Sequence, residues 1–177
     1  ESASLKPLNA FSAAKNSLRL MGEEIAKETG MIFIWGRIFF VYGSGQREMS
    51  LIPYIINCAE KGITPELKSP SSKNDFIYVG DVADAISTLL KKCNESGVFN
   101  IGSGKPARVI DILEQVYNVL GKQKKIKEIL GKNHANPRGA RKENFWADIG
   151  KIKKETGWKP KFYINDGIRE TIKDRRL

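Results

Sequence analysis

Histidine is almost missing from this chain and cysteine nearly so: His134 stands alone, and Cys58 and Cys93 are the only thiols in 177 residues. His134 has no carboxylate or serine at a suggestive spacing, so a histidine-centred triad has no support and the residue reads as a surface one. The two cysteines lack metal-ligand spacing and fall in separate predicted helices. They read as reduced core thiols of a cytoplasmic protein, and no metal is expected. Long hydrophobic runs are lacking as well. The longest, Met31 to Val41, is interrupted by Gly36 and Arg37 and is too short for a membrane span. The opening residues, Glu1 to Pro7, hold no apolar signal core and no initiating methionine, which suggests a fragment or a processed chain. Acidic residues are outnumbered, 20 against 30 lysines and arginines, for a net charge of +10. That balance permits contacts with nucleic-acid phosphates, but no helix-turn-helix, RNA-binding signature or zinc-finger spacing accompanies it. The basic residues gather late, at Lys122 to Lys142, Lys151 to Lys154 and Arg175 to Arg176. They read as a solvated face, or as a surface for an acidic partner lobe or an anionic small molecule.

What is present is an alternation of helical and strand patterns. Ala14, Leu18, Met21 and Ile25 recur at helical spacing, which predicts a helix over Asn9 to Thr29 that ends at Gly30. Met31 to Val41 reads as one buried parallel strand, apolar on both faces. Tyr42 to Gln46 is then a loop at that strand's carboxyl end, where doubly wound sheets bind ligands. A helix over about Ser50 to Lys61 follows, with a short strand near Glu66 to Lys68. A strand over Phe76 to Val79 leads into a helix capped by Asp81 and running to about Lys92. Val98 to Ile101 is a strand and Arg108 to Leu120 a helix. Lys122 to Glu143 has no clear period, although Ile126, Ile129 and Leu130 suit either a strand or a helical turn. Short helices capped by Asp148 and Asn165 close the chain. The expected fold is α/β.

Two stretches carry chemistry. In Asn9-Ala10-Phe11-Ser12-Ala13-Ala14-Lys15, Phe11 and Lys15 sit four apart on one helix face. In Arg37-Ile38-Phe39-Phe40-Val41-Tyr42-Gly43-Ser44-Gly45-Gln46, an apolar strand ends in a glycine-rich turn. With Asn74-Asp75-Phe76-Ile77-Tyr78-Val79-Gly80-Asp81-Val82-Ala83, Phe99-Asn100-Ile101-Gly102-Ser103-Gly104, Ala147-Asp148-Ile149-Gly150-Lys151 and Gly157-Trp158-Lys159-Pro160, these blocks resemble, in order, the extended short-chain dehydrogenase/reductase family. Its members are NAD(P)-dependent nucleotide-sugar epimerases, dehydratases and reductases. The resemblance implies the carboxy-terminal half of such a protein. Residues 1–48 would be the last part of the Rossmann-like parallel sheet, and residues 49–177 mainly a small α/β substrate-binding lobe, with elements over about 76–101 returning to the sheet.

The resemblance also assigns roles. Phe11 takes the position of the catalytic tyrosine, and Lys15 that of the lysine that holds the cofactor ribose and lowers the phenol's pKa. Phe39 falls beside the cofactor, NAD or NADP. Phe40 stands where an asparagine usually meets substrate, and Asn74 where an arginine often clasps the diphosphate. Ser50, Leu51 and Glu66 fall near base and ribose. Arg138 matches a diphosphate-binding arginine, suited to bidentate contact with phosphate, and Arg141 falls where a carboxylate would hold ribose or base. The cofactor's glycine-rich fingerprint is not in the sequence: Gly43-Ser44-Gly45 lacks the third glycine and follows the wrong strand. From the residues alone, Phe11 and Lys15 also suit an ordinary core position and a lysine lying along apolar surface. The implied ligand is a nucleoside-diphosphate sugar, and the implied assembly a homodimer or a pairing with an amino-terminal half. Phenylalanine cannot exchange a proton, so the chain is expected to be nearly inactive as written. The rival class is a non-catalytic sugar-nucleotide-binding or interaction protein.

Overall fold

The structure, a computed structural model, describes residues 9–133 and 144–175. Helix α1 (Ala10–Thr29) opens on a reciprocal cap. The Asn9 side chain accepts from the Ser12 backbone N–H at 2.9 Å, and the Asn9 N–H donates to Ser12 Oγ at 3.2 Å. Gly30 closes the helix in the left-handed region at φ 71°. The amphipathic pattern that makes α1 a helix finds little to pack on. Ala26 is its one buried residue, while Phe11, Leu18, Met21 and Ile25 are exposed. Contact comes through Gly22, where a Cβ would lie 2.4 Å from Phe33 Cζ.

The expected strand over Met31 to Val41 is two strands in two sheets. β1 (Ile34–Ile38) pairs in parallel with β4 (Gly97–Ile101), Ile38 opposite Ile101. β2 (Phe40–Tyr42) pairs in parallel with β3 (Lys73–Tyr78), Phe40 opposite Phe76. Phe39 is the handover: its N–H still donates to the Ile101 carbonyl at 3.0 Å, and the chain then crosses to β3. Nor is this stretch covered on both faces, since Met31, Ile32, Ile38 and Phe40 are exposed. β3 also pairs antiparallel with β5 (Pro106–Arg108), and Asn74 forms a further parallel bridge to Phe145.

Alternation along β3 sends neighbouring side chains into two cores. Phe76 joins Tyr42 and the inner faces of α2 (Leu51–Lys61), α4 (Val109–Val119) and α7 (Ile164–Asp174), where Ile52, Ile55, Ile112, Val116 and Ile168 are buried. Ile77 joins α3 (Val79–Lys92) and α6 (Gly150–Thr156), through Val82, Leu89, Ile152 and Trp158, over Phe99 and Ile101 of β4.

Three further expectations change. Glu66 to Lys68 forms no strand, because Leu67 turns into the interior and the Glu66 N–H donates to the Tyr54 hydroxyl at 3.0 Å instead of to a ladder. Lys122 to Asn133 resolves as a 3₁₀ turn (Gln123–Lys125) and helix α5 (Ile126–Asn133), anchored by buried Ile129. Asp81 lies inside the first turn of α3 and does not cap it. Its buried carboxylate accepts from the Lys161 and Phe162 N–H groups at 2.9 and 3.0 Å, which pins the segment before α7. Among the described residues, no helix is long and apolar enough to cross a membrane.

Candidate functional site

A cleft of about 290 Å³ opens where β2, the turn after it, the start of α2 and β3 meet. It is lined by Phe40, Val41, Tyr42, Gln46, Ser50, Leu51, Ile52, Asn74 and Phe76. Four expected substrate-side residues, Phe40, Ser50, Leu51 and Asn74, are thus brought together from three elements. Each is placed for a local reason. Phe40 and Phe76 are opposite each other across a parallel ladder, with ring centroids 5.8 Å apart. Ser50 precedes the first turn of α2 with extended backbone, and its side chain makes no capping bond. The hydroxyl and the first helical N–H groups are therefore available to a ligand acceptor.

Three more residues contribute: Phe145, which sequence reasoning missed, and Gln46 and Tyr42, which it placed in the ligand-side loop without a role. Phe145 stacks near Phe39 and Phe40, with centroids at 5.8 and 5.6 Å, and a second opening of about 310 Å³ is lined by Ile38, Phe39, Phe40 and Phe145. An aromatic wall therefore runs from Phe39 through Phe145 and Phe40 to Phe76. The available signal was the Phe145-Trp146 pair just before the Ala147-Asp148 block. Gln46 is the second. Its Nε2 donates to the Val41 carbonyl at 2.9 Å, while its Oε1 is buried without a partner among the described residues. A buried acceptor left so costs about 1–3 kcal/mol, which a donor on a ligand would recover. Tyr42 is the third. Its hydroxyl donates to the Ile164 carbonyl at 3.3 Å, and burial, followed by the Asp81 charge, pushes its pKa well above the ordinary phenol range. It is a neutral structural phenol, unsuited to trade protons near neutral pH.

Asp75 holds the wall in place from behind. Its fully buried carboxylate accepts from the Ser103 N–H at 2.7 Å, Ser103 Oγ at 2.6 Å, the Gly104 N–H at 2.9 Å and the Ala147 N–H at 3.0 Å. The β4–β5 turn and the segment carrying Phe145 are so tied to β3. Gly102 is required by this approach, since a Cβ there would lie 2.5 Å from Ala147 Cβ and 2.8 Å from Asp75 Oδ2. Asn100 likewise serves backbone, donating to the Asp148 carbonyl at 3.0 Å.

The other expected residues lie apart from the cleft. Phe11 and Lys15 share a face of α1, the ammonium 4.6 Å from the ring centroid, and neither lines the two openings. Glu66 meets Tyr54 outside the lining. Arg138, Arg141 and His134 lie outside the described residues. No charged side chain lines the cleft among those described, so it offers a ligand apolar surface, one amide acceptor, one hydroxyl and the Asn74 amide. No group of three or more His, Cys, Asp or Glu side chains converges among the described residues.

Comparisons with known proteins agree with this architecture. A family model described as GDP-mannose 4,6 dehydratase matches residues 1–171. The UDP-glucuronate 4-epimerase of Thermodesulfobacterium geofontis is 29% identical over 168 residues, covering 94% of this chain and 50% of that protein. A dTDP-4-dehydro-6-deoxyglucose reductase of Escherichia coli is 32% identical over 159 residues, covering 86% of this chain and 48% of that protein. In fold, the chain is similar to the crystal structure of dTDP-glucose 4,6-dehydratase from Bacillus anthracis in complex with NAD, with a TM-score of 0.81 at 24% identity, over 99% of this chain and 55% of that one. The chain spans about half the length of the curated relatives it matches. With the family model spanning nearly all of it, the chain belongs to the extended short-chain dehydrogenase/reductase family of nucleotide-sugar epimerases and dehydratases.

Proposed function

We propose that this chain takes part in NAD(P)-dependent modification of a nucleoside-diphosphate sugar, of the epimerase or dehydratase type that passes through a 4-keto sugar. The observation that carries the reading is the cleft that gathers Phe40, Gln46, Ser50, Leu51 and Asn74. An apolar, aromatic-walled recess with a few polar groups suits a ligand that is part ring and part hydroxyl. Ser50 and the α2 N–H groups would face a phosphate or ribose oxygen, and Gln46 Oε1 would accept from a hydroxyl or base N–H. Arg138 would add the guanidinium that β3 lacks at Asn74. A 4-ketoreductase is the alternative within this class, supported by the reductase among the relatives.

NAD(P) fits these residues only in part. Lys15 would hold a ribose and Phe39 would lie beside the cofactor, but the glycine-rich turn that seats a pyrophosphate is not in this sequence. No step is therefore assigned through the cofactor on these residues alone. Phe11 fills the volume of a tyrosine without its oxygen. A missing general acid/base lowers rate by about 10²–10⁴-fold. This residue favours the rival reading, a sugar-nucleotide-binding protein without catalysis.

Phe11→Tyr separates the two, in a protein that also carries the glycine-rich cofactor unit, on the same chain or a second one. Assayed with NAD(H) or NADP(H) and nucleotide sugars, turnover is expected to rise at least ~10²-fold. Adding Lys15→Met is expected to remove most of that gain. A tyrosine variant that binds cofactor and sugar nucleotide yet gains nothing establishes the non-catalytic reading.

A further inference from the structure

A recess of about 670 Å³ lies between the β4–β5 turn, α6 and the segment leading into α7, with Phe76 as the wall it shares with the Phe40–Asn74 cleft. Lys105, Lys153, Lys159 and Lys161 line it, with Phe162 and Tyr163 among its apolar walls, and no aspartate or glutamate lines it among the described residues. Asp84 ion-pairs with only one of the four lysines: Lys161 Nζ lies 2.9 Å from Asp84 Oδ1. Lys105 lies over the Tyr163 ring at 4.7 Å from its centroid, a contact that leaves its charge uncompensated. The Lys153 and Lys159 ammonium groups make no ion pair among the described residues.

The segment that presents these groups is held from behind. The Asp81 carboxylate accepts from the Lys161 and Phe162 N–H groups, the Phe162 ring lies 4.6 Å from that of Tyr78, and Asp84 also accepts from Trp158 Nε1 at 3.0 Å. Three unneutralised ammonium groups thus surround a recess of nucleotide size on a fixed backbone. A phosphate held in the recess is attracted by all three charges. Tyr163, 67% exposed, offers an aromatic surface beside the charges, suited to a planar base.

We propose that this recess is a second anion site, meeting the Phe40–Asn74 cleft at Phe76, that takes a nucleotide-sized phosphate ester with its phosphates on Lys105, Lys153 and Lys159 and its ring against Tyr163. The proposal does not depend on the sugar-nucleotide reading. The test is calorimetric titration of the chain with pyrophosphate and with ADP at low ionic strength. Both are expected to bind, ADP more tightly. The double variant Lys153→Gln/Lys159→Gln is expected to weaken both at least ~tenfold, the scale of one charge-assisted hydrogen bond. Tyr163→Leu should weaken ADP and leave pyrophosphate unchanged. Pyrophosphate is the deciding ligand, because ADP can also enter the Phe40–Asn74 cleft, where it appears as a second binding event that the lysine and Tyr163 variants leave in place. Absence of pyrophosphate binding, or pyrophosphate binding that survives the double lysine variant, overturns the proposal. A single-stranded RNA that displaces ADP and binds far more tightly would make the occupant a nucleic acid and not a small phosphate ester.

Discussion

Single side chains here settle questions that composition leaves open. Tyr42 has the only phenol lining the described cleft, yet its burial and its bond to Ile164 remove it from acid–base chemistry. This has a measurable sign. Its folded pKa lies above the unfolded value of about 10, so its contribution is fully present below that pH and is lost as pH rises above it. Urea unfolding of the parent is expected to show stability falling above pH ~10, by up to about 1.4 kcal/mol per pH unit from this group, and Tyr42→Phe should flatten the slope. Gln46 gives a second expectation. Gln46→Met loses the bond to the Val41 carbonyl, worth about 1 kcal/mol, and removes a buried unpaired acceptor that costs about 1–3 kcal/mol. Stability should therefore be unchanged or slightly raised, while affinity for a nucleotide sugar falls. An equal loss of both, by denaturation and calorimetry, would show that Gln46 is only structural.

At the level of elements, much was legible because helical periodicity and glycine caps are local signals. α2 ends at Gly62 and α6 at Gly157, both in the left-handed region, as the glycines announced. What could not be read depended on distant partners. Nothing local in Met31 to Val41 says that the chain changes sheets at Phe39, because that depends on which strand offers the next carbonyl. Asp81 has the composition of a cap, but its carboxylate is claimed by a segment some 80 residues later. Phe40, Ser50, Leu51 and Asn74 were expected on one side from the family resemblance, and Gln46 from its loop, whereas Phe145 and the unpaired state of the Gln46 acceptor needed the fold. The packing of α7 on β2 gives a third expectation. A Cβ on Gly167 would lie 2.1 Å from the Tyr42 hydroxyl oxygen. Gly167→Ala is expected to destabilise by about 1–3 kcal/mol despite alanine's better helix propensity, and Gly167→Ala/Tyr42→Phe should recover only part of that loss, because the ring's Cζ still lies 2.8 Å from the added Cβ.

For the whole molecule, the uneven covering of its apolar surface is decisive. The two cores are closed, but Phe11, Leu18, Met21 and Ile25 on α1 and Met31, Ile32 and Ile38 around β1 face outward. Scattered exposed apolar residues are normal, whereas a run of them on adjoining elements marks a surface that associates. Sedimentation at micromolar concentration is expected to show self-association, or pairing with a protein that carries the glycine-rich unit. Leu18→Glu/Met21→Glu should shift the chain toward monomer while leaving the Phe40–Asn74 cleft able to bind. A parent chain that sediments as a well-folded monomer would remove this surface as an interface.

Asp75 has a consequence for how the protein is made. Its carboxylate belongs to β3, but its partners are 28, 29 and 72 positions further along the chain. While synthesis runs from β3 toward Ala147, that charge has only part of its hydrogen bonds, and the Phe145 wall of the opening beside the cleft has no anchor. That opening is therefore completed late in translation, and a ribosome that stalls before Ala147 leaves a lobe with its fold largely begun and the Phe39–Phe40–Phe145 opening unfinished.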